Sequence, residues 1–598
     1  MRKTSMMKLN QYVLMMGACA GMCMLGTSVG CQKASRLDVN LIEPCDQQNQ
    51  SMQGIQTIQS NYFTPDPDSG FPKETEDSAA RETASTIENG VTPLQFDLDE
   101  EVFLEFKGFE QAAEEGQDTS FLNAAPYSIA RSVPLVKQAQ LLENEFIGES
   151  AQITIPMGRL DSFGQASAKS ESGGSECSYL TSGEAIEGRH GHTATYIPAI
   201  HKVFIAGGAV WQEDPTASLD LPQCKEFVRE TGETSISCLT FLQSAELFDP
   251  NTGAFIELPP LPNRRGYHSA TLLSDNRTVL VMGGFTPIDG RMDALINGFV
   301  FDPDLLPSDY ETSGAESDAS PYTSIRFNAQ RANHTATLIP ESKVVVIVGG
   351  CTGEGCTPFG AASDASAETP DSTQRFSAPI EIYEEETGSI YPAEGLSDNE
   401  TGAFERAFHT TAYTGEYLLV SGGVTGDGTS CNMELLRVNG ASVELVQTYT
   451  TDVCTVGHTA TVLDGGRKIF MIGGVTEAPG GVPSTTATPV SNVQVWTAQE
   501  VESQAINLTT GRTNHSAVLL ADDSVLVVGG RVENTITAER VVLSDLTQSY
   551  IPAPITLPMV QARISLTATM LPNKHVFVAG GYAETGETSP RAEIYFAE

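Results

Sequence analysis

Short apolar runs closed by two glycines punctuate the chain. They read KVFIA, TVLVM, KVVVIV, YLLVS, KIFMI, SVLVV and HVFVA. The glycines that follow them are Gly207 and Gly208, Gly283 and Gly284, Gly349 and Gly350, Gly422 and Gly423, Gly473 and Gly474, Gly529 and Gly530, and Gly580 and Gly581. Copies lie 51 residues apart at the closest (Gly422 to Gly473) and 76 at the widest (Gly207 to Gly283). Ahead of each run stands a strand of the HTAT type, separated from it by a short turn such as SDN, PES, DGG or PNK. Apolar and β-branched enrichment on both sides of such a turn predicts a strand–turn–strand unit. Beyond each glycine pair come a loop and a third strand: SAELFDP, NGFVFDP, PIEIYEE, MELLRV, NVQVW, RVVLS and AEIYF. A fourth strand such as AFIELPPLP or QAINLTT usually follows and leads into the next copy.

Four short antiparallel strands repeated seven times predict an all-β, seven-bladed β-propeller. A blade narrows toward the axis, so its innermost strand favours small side chains, and Ala194, Ala270, Ala336 and Ala460 sit in HTAT-type strands. The glycine pairs suit a backbone with φ > 0 or one that passes close to a neighbour. The stretch SAELFDPNTGAFIELPPLPNRRGYHSATLL, followed by VLVMGG, resembles the kelch repeat. The resemblance runs from Arg189 to Glu598, about two thirds of the chain. It departs from the family in the fourth strand, where kelch repeats often carry tryptophan and the first copy has Phe255. The last copy stops at its third strand, so residues 175–188 (SECSYLTSGEAIEG) are expected to supply the missing fourth strand.

Upstream the pattern changes. LDVNLIEP, GIQTIQSNYF, VFLEFKGF and SAQITIPMG read as strands of a small β-sandwich-like domain over residues 31–174. Residues 64–92 are polar, acidic and proline-bearing, which predicts a flexible insertion. The propeller then occupies 175–598. Residues 1–30 read as a signal peptide: Arg2, Lys3 and Lys8 precede an apolar, Met-rich run from Tyr12 to Val29. The run ends in LGTSVGC, which resembles the lipobox of bacterial lipoproteins and implies lipid on Cys31. Ser28 stands where that family prefers Leu, Cys19 is a weaker second candidate, and cleavage without lipid stays open. By the same resemblance, Gln32 after the cysteine implies sorting to the outer membrane.

The formal net charge is −42, from 34 basic and 76 acidic side chains. Such a field repels phosphate backbones and anionic lipid, which excludes nucleic-acid binding and limits membrane contact to an N-terminal anchor. Eight cysteines follow Cys31, an even number that suits disulfides in an exported chain. Spacing proposes Cys224–Cys238 and Cys351–Cys356 within single loops, Cys431–Cys454 across a connection, and Cys45–Cys177 between the domains. No paired CxxC units mark a zinc site.

Six histidines recur in register, His192, His268, His334, His409, His458 and His515, with Leu566 in the seventh copy. Arg189, Arg265, Arg331, Arg406, Arg512 and Arg563 precede most of these positions. A residue repeated with the repeat serves the repeat, so both sets are expected to be structural. Some kelch propellers are enzymes. Galactose oxidases need a thioether-linked Tyr–Cys pair with further Tyr and His copper ligands, and the remaining His190, His201 and His575 assemble no such set. No catalytic residue of the sialic-acid mutarotases can be matched, and GxSxG, HExxH and P-loop motifs are absent. No catalytic residue, metal or cofactor is therefore assigned. Segments 209–243, 351–378 and 475–490 are long loops that a propeller would display on one face, with Trp211, Phe227, Phe285 and Phe359 as candidate contacts. The expected function is binding of a protein or a glycan on that face. A carbohydrate-active oxidase or mutarotase, or a purely structural surface component, are the alternatives.

Overall fold

The computed structural model describes the strand segments 12–15, 36–42, 57–63, 83–86, 103–109, 128–131, 151–156, 158–159 and 162–167. It also describes residues 187–597 apart from 218–223, 229–231, 252, 289–290, 307–319, 353–375, 377–378, 477–487, 498–500, 503–506, 532–537, 542–554, 558 and 560. Four-stranded antiparallel sheets, each strand paired with the next in sequence, follow one another along the chain. Sheet one is Thr193–Ile197, Lys202–Ala206, Ala245–Phe248 and Phe255–Glu257, and sheet two is Ser269–Leu272, Val279–Met282, Asn297–Phe301 and Tyr322–Arg326. Sheet three is Thr335–Ile339, Val344–Val348, Glu381–Glu384 and Ser389–Pro392, and sheet four is Thr410–Tyr413, Leu418–Ser421, Asn432–Asn439 and Ser442–Thr450. Sheet five is Thr459–Leu463, Lys468–Ile472, Val493–Thr497 and Val501–Glu502. Sheet six is Ser516–Leu519, Val525–Val528, Ala538–Val541 and Ile555–Leu557. Sheet seven takes Thr567–Met570, Val576–Ala579 and Ala592–Phe596 from the C-terminal end and a fourth strand from far upstream.

The second strands are continuously apolar because both of their faces are covered. Val344, Val346 and Val348 pack toward sheet four, while Val345 and Ile347 pack toward sheet two. Each successive pair of sheets encloses its own apolar cluster, and sheet seven closes against sheet one, with Phe577 stacked on Phe248 at 4.2 Å. The first strand of each sheet lies against that of the next, and Thr193–Ile197 against Thr567–Met570. Among the described residues no single sheet closes on itself; the chain is all-β and built of small, mostly antiparallel sheets.

A backbone hydrogen bond crosses every joint. The N–H of the second glycine donates to the carbonyl that opens the next connection: Gly208 to Arg265 (2.8 Å), Gly284 to Arg331 (3.0 Å), Gly350 to Arg406 (2.8 Å) and Gly423 to Thr455 (3.0 Å). Gly474 donates to Arg512 (2.8 Å), Gly530 to Arg563 (3.0 Å) and Gly581 to Arg189 (2.7 Å), the last joining sheet seven to sheet one. The first glycine makes room for this contact. Gly349 has φ +60°, and a Cβ there would stand 2.2 Å from the Arg406 carbonyl oxygen.

Several expectations need correction. The fourth strand of sheet seven is Ser162–Ser167, paired antiparallel with Ala592–Phe596, not residues 175–188. Residues 175–186 lie outside the described residues, and 187–189 form no strand. Tyr12–Met15, expected within a leader outside any fold, pairs with Arg36–Val39 in the full chain. Thr83–Thr86, inside the expected flexible insertion, pairs with Thr57–Ser60. The N-terminal strands form a three-stranded and a five-stranded sheet, the former with a parallel pair between Arg36–Ile42 and Ala151–Pro156. The bridges Cys224–Cys238 and Cys431–Cys454 are present, and Cys351 is disulfide-bonded. Cys31, Cys45, Cys177, Cys356 and Phe359 lie outside the described residues.

Replacing Gly349 by Val should lower stability by at least ~3 kcal/mol, because the side chain must overlap a carbonyl at a φ that β-branched residues avoid. Gly402, with open space around its Cβ position, is the control: Gly402→Ala should stay within about 0.5 kcal/mol. Chemical denaturation of both variants checks the contrast.

Candidate binding site at the loop-bearing end

The recurring arginines are clamps. Each is buried and donates from one guanidinium nitrogen to the carbonyl of the first glycine of its own sheet, as Arg512 does to Gly529 at 2.8 Å. A second nitrogen reaches a buried glutamate of the third strand in five cases: Arg189–Glu246, Arg331–Glu381, Arg406–Glu434, Arg512–Glu539 and Arg563–Glu593. Sheet two has Phe299 at that register, and Arg265 stacks its guanidinium over the ring at 5.0 Å. Sheet five lacks both partners, with Thr455 in place of the arginine and Gln494 in place of the glutamate, whose amide donates to the Val453 carbonyl at 2.7 Å. Joint loss is what the energetics require. Removing one member of a buried pair costs about 3–5 kcal/mol, whereas replacing both can be close to neutral.

The histidines are spacers between sheets. Nε2 of His268 meets Thr193 Oγ1 of the preceding sheet at 3.0 Å, and His334, His409, His458, His515 and His192 repeat the contact with Ser269, Thr335, Thr410, Thr459 and Thr567. Their Cε1 atoms fill the space beside the preceding first glycines. Burial holds these imidazoles neutral: it lowers the pKa of His268 and His515 to about 3 and of His458 to about 4. Leu566 does the spacing without the hydrogen bond, and Ser516 accepts instead from the Ala568 amide at 3.2 Å.

Between each arginine position and its histidine lie two more residues in register. The second of the two takes φ > 0 in every copy: Gly191, Tyr267, Asn333, Phe408, Gly457, Asn514 and Ser565. Their backbones form a chain of hydrogen bonds from sheet to sheet, for example Tyr267 N–H to Gly191 O at 2.7 Å and Ser565 N–H to Asn514 O at 3.0 Å. The first of the two bridges to the residue after the glycine pair, giving His190–Ala209, Gly266–Phe285, Ala332–Cys351, Ala407–Val424, Val456–Val475, Thr513–Arg531 and Ile564–Tyr582. This collar is mostly apolar and buried.

Positions that repeat serve the scaffold, so departures from the repeat are where other chemistry can sit. In the collar the charged or titratable departures are His190, Arg531 and Tyr582. They meet the bulkiest left-handed residues and the excursion from sheet one. Tyr267 Oη lies 2.9 Å from His190 Nδ1, His190 stacks on Trp211 with centroids 5.8 Å apart, and Tyr582 lies 4.8 Å from His190 and 6.3 Å from Trp211. Trp211 in turn packs edge-on against Phe227 at 5.0 Å, over which Lys225 Nζ sits at 5.1 Å. All belong to one end, because the entry to a first strand and the exit from its antiparallel second strand coincide. Burial lowers the His190 pKa to about 3 and raises those of Tyr267 and Tyr582, so all three are neutral at pH 7. Lys225 and Arg531 are half-buried, and burial depresses both pKa values. Tyr582 and His190 are buried behind the partly exposed rings of Trp211 and Tyr267, which offer aromatic surface beside two cations, and the group has no titrating acid–base pair near neutrality. Among the described residues no group of three His, Cys, Asp or Glu converges to hold a metal.

Of the sequence candidates, Trp211 joins this cluster and is partly exposed. Phe227 and Phe285 do not present themselves to solvent: both rings are buried in the apolar collar and act in packing. His190, Tyr267, Arg531 and Tyr582 were missed, and the signal for them was the departure of single copies from the repeat at fixed offsets from the glycines.

No protein-family model and no curated protein sequence matches the chain. Solved structures match it, among them a fungal alcohol oxidase of the AA5 family in complex with copper. The identity is 17%, the TM-score 0.43, and the match covers 69% of this chain and 74% of the oxidase.

Buried neutral histidines set a pH dependence. An imidazole whose folded pKa is near 3 and whose unfolded pKa is near 6.5 favours the fold fully above 6.5, and that contribution is lost as pH falls toward 3. Stability should therefore decline from pH 6.5 to 5, before most carboxylates titrate, by up to about 1.4 kcal/mol per pH unit for each such histidine. His515→Leu, which copies the natural residue of the seventh repeat, should make the decline shallower by about that amount. Denaturant midpoints measured across the interval decide it, and parallel slopes would contradict a neutral buried His515.

Proposed function

We propose that this chain is a seven-bladed kelch-like propeller of the bacterial cell envelope, exported and held by lipid on Cys31, that binds a saccharide at its loop-bearing end. The seven in-register glycine joints and the packing of sheet seven on sheet one support the propeller reading. The disulfides are compatible with an exported protein, and among the described residues no helix is long and apolar enough to cross a membrane.

One observation carries the binding reading. The side chains that break the repeat, Trp211, Tyr267, Arg531 and Tyr582, gather with Lys225 in one place rather than scattering around the joints. Aromatic faces stack on the apolar faces of sugar rings, and cations beside them suit a saccharide carrying carboxylate groups. Glu584 attracts both Lys225 and Arg531, so this place holds two cations against one nearby carboxylate in a chain of net charge −42.

Glycan-array binding followed by calorimetry tests the site. Arg531→Ala should weaken saccharide binding at least ten-fold, about 1.4 kcal/mol, with little change in melting temperature. Trp211→Ala should weaken it at least as much while also lowering the melting temperature, because the indole packs on His190 and Phe227. If no saccharide is retained, or if both variants bind like the parent, the reading fails, and a pull-down sensitive to the same variants would indicate a protein ligand instead. Intact mass of the mature N-terminal peptide tests the anchor: a diacylglyceryl-modified Cys31 is expected, and an unmodified N-terminus at another residue refutes it.

A further inference from the structure

The joint between sheets four and five is built differently from the others. At the other six an arginine opens the connection and fastens it to the sheet that follows through buried guanidinium hydrogen bonds. Here Thr455 stands in that place and Gln494 replaces the glutamate, so both charges are missing. The neighbouring residue, Cys454, forms a disulfide with Cys431 at the start of the third strand of sheet four. The connection is thus tied back to sheet four by a covalent bond. Its other anchors are neutral hydrogen bonds, among them Gln494 Nε2 to Val453 O (2.7 Å), Thr451 N–H to Cys431 O (2.9 Å), the paired Val456–Val475 backbone bonds (2.9 and 3.0 Å), Gly457 N–H to Phe408 O (3.2 Å) and the glycine bond from Gly423 to Thr455 O (3.0 Å). Neutral bonds are worth roughly half of charge-assisted ones. Both cysteines are half-buried, so a small reductant can reach the bridge without unfolding the ring.

We propose that the Cys431–Cys454 disulfide takes the place of the missing arginine clamp, and that this joint is the redox-sensitive one of the ring. A dithiol reductant opens it by thiol–disulfide exchange. One thiolate attacks a sulfur of the bridge, the Sγ–Sγ bond breaks, and a mixed disulfide forms. The second thiol of the reductant resolves that intermediate, so the reductant leaves as a cyclic disulfide while Cys431 and Cys454 take up two electrons and two protons as thiols. The connection 451–457 is then held by neutral hydrogen bonds alone. Sheets four and five loosen where their faces pack together, and the six arginine-clamped or stacked joints stay closed. Cys224–Cys238 differs in kind, because it links cross-strand partners inside the excursion from sheet one and bridges no joint.

Hydrogen exchange of the full-length protein with and without dithiothreitol, with thiol labelling to confirm opening, tests this. Amides of 432–439, 442–450 and 459–463 should exchange at least ten-fold faster after reduction, while the second strands of sheets one, two, six and seven change less than two-fold. Installing the clamp with the double variant Thr455→Arg and Gln494→Glu should suppress the response to less than two-fold. The Cys224→Ser, Cys238→Ser variant should keep the full response. If the clamp variant fails to fold, Cys431→Ser with Cys454→Ser serves in its place: the same segments should exchange fast and be indifferent to dithiothreitol. A bridge that stays oxidised in the folded protein, a response spread evenly over all sheets, or a response that survives the installed clamp overturns the proposal.

Discussion

One hydrogen bond organises this molecule: the N–H of the second glycine in each pair, donated across the joint to the carbonyl that opens the next connection. It draws the end of one second strand against the start of the next first strand at a distance that excludes any Cβ, which is why both residues must be glycine. Other recurring features follow from that approach. The histidine fills the wedge left beside the first glycine, the threonine or serine of the preceding sheet gives its Nε2 a partner, and the arginine fixes the connection whose carbonyl accepts the bond. Carried from sheet one to sheet seven and back, the same bond makes each sheet a template for its neighbour.

Burying so much charge and so many imidazoles has a cost that the structure meets locally. Five arginines face carboxylates, one lies over the Phe299 ring, and the seventh position gives up arginine and glutamate together. Arg265 is the exception: among the described residues no carboxylate faces it, neutral acceptors on Gly283 and Asn297 take its hydrogen bonds, and burial lowers its pKa to about 10. At the other joints each buried charge is paired or both charges are absent. The repeat is therefore conserved in geometry while its chemistry varies from joint to joint.

The same reasoning locates the candidate site. A seven-fold collar of small and apolar residues needs no buried imidazole, no arginine and no tryptophan beside it. His190, Arg531, Tyr582 and Trp211 break the collar next to one another, over neighbouring sheets, at the end where the excursion of sheet one folds back as a three-stranded sheet. The neutrality of His190 and Tyr582 at pH 7 suits recognition through ring faces and hydrogen bonds, with Arg531 as the charged member of the group.

Local sequence determined a good deal. Strand–turn–strand units could be read because buried strands and their turns have compositions set within ten or twelve residues, and the glycine pairs because φ > 0 beside a backbone excludes other residues. The structural character of the repeating histidines and arginines was also legible, since a residue bound to a repeat serves the repeat. Pairing over distance was not. Glu246, Glu381, Glu434, Glu539 and Glu593 sit in third strands that read plainly, yet they lie 57, 50, 28, 27 and 30 residues from their arginines, and nothing local links the two. Ser162–Ser167, rather than 175–188, completes sheet seven because an unpaired strand edge selects by register and reach, which short polar segments near a domain boundary do not encode. Phe227 and Phe285 were exposed candidates on a loop until the loop proved to have its own core. His190 and Arg531 became neighbours of Tyr582 only when the ends of sheets six, seven and one were brought side by side, because convergence of residues more than 300 positions apart depends on the packing of sheet seven against sheet one and on no segment by itself.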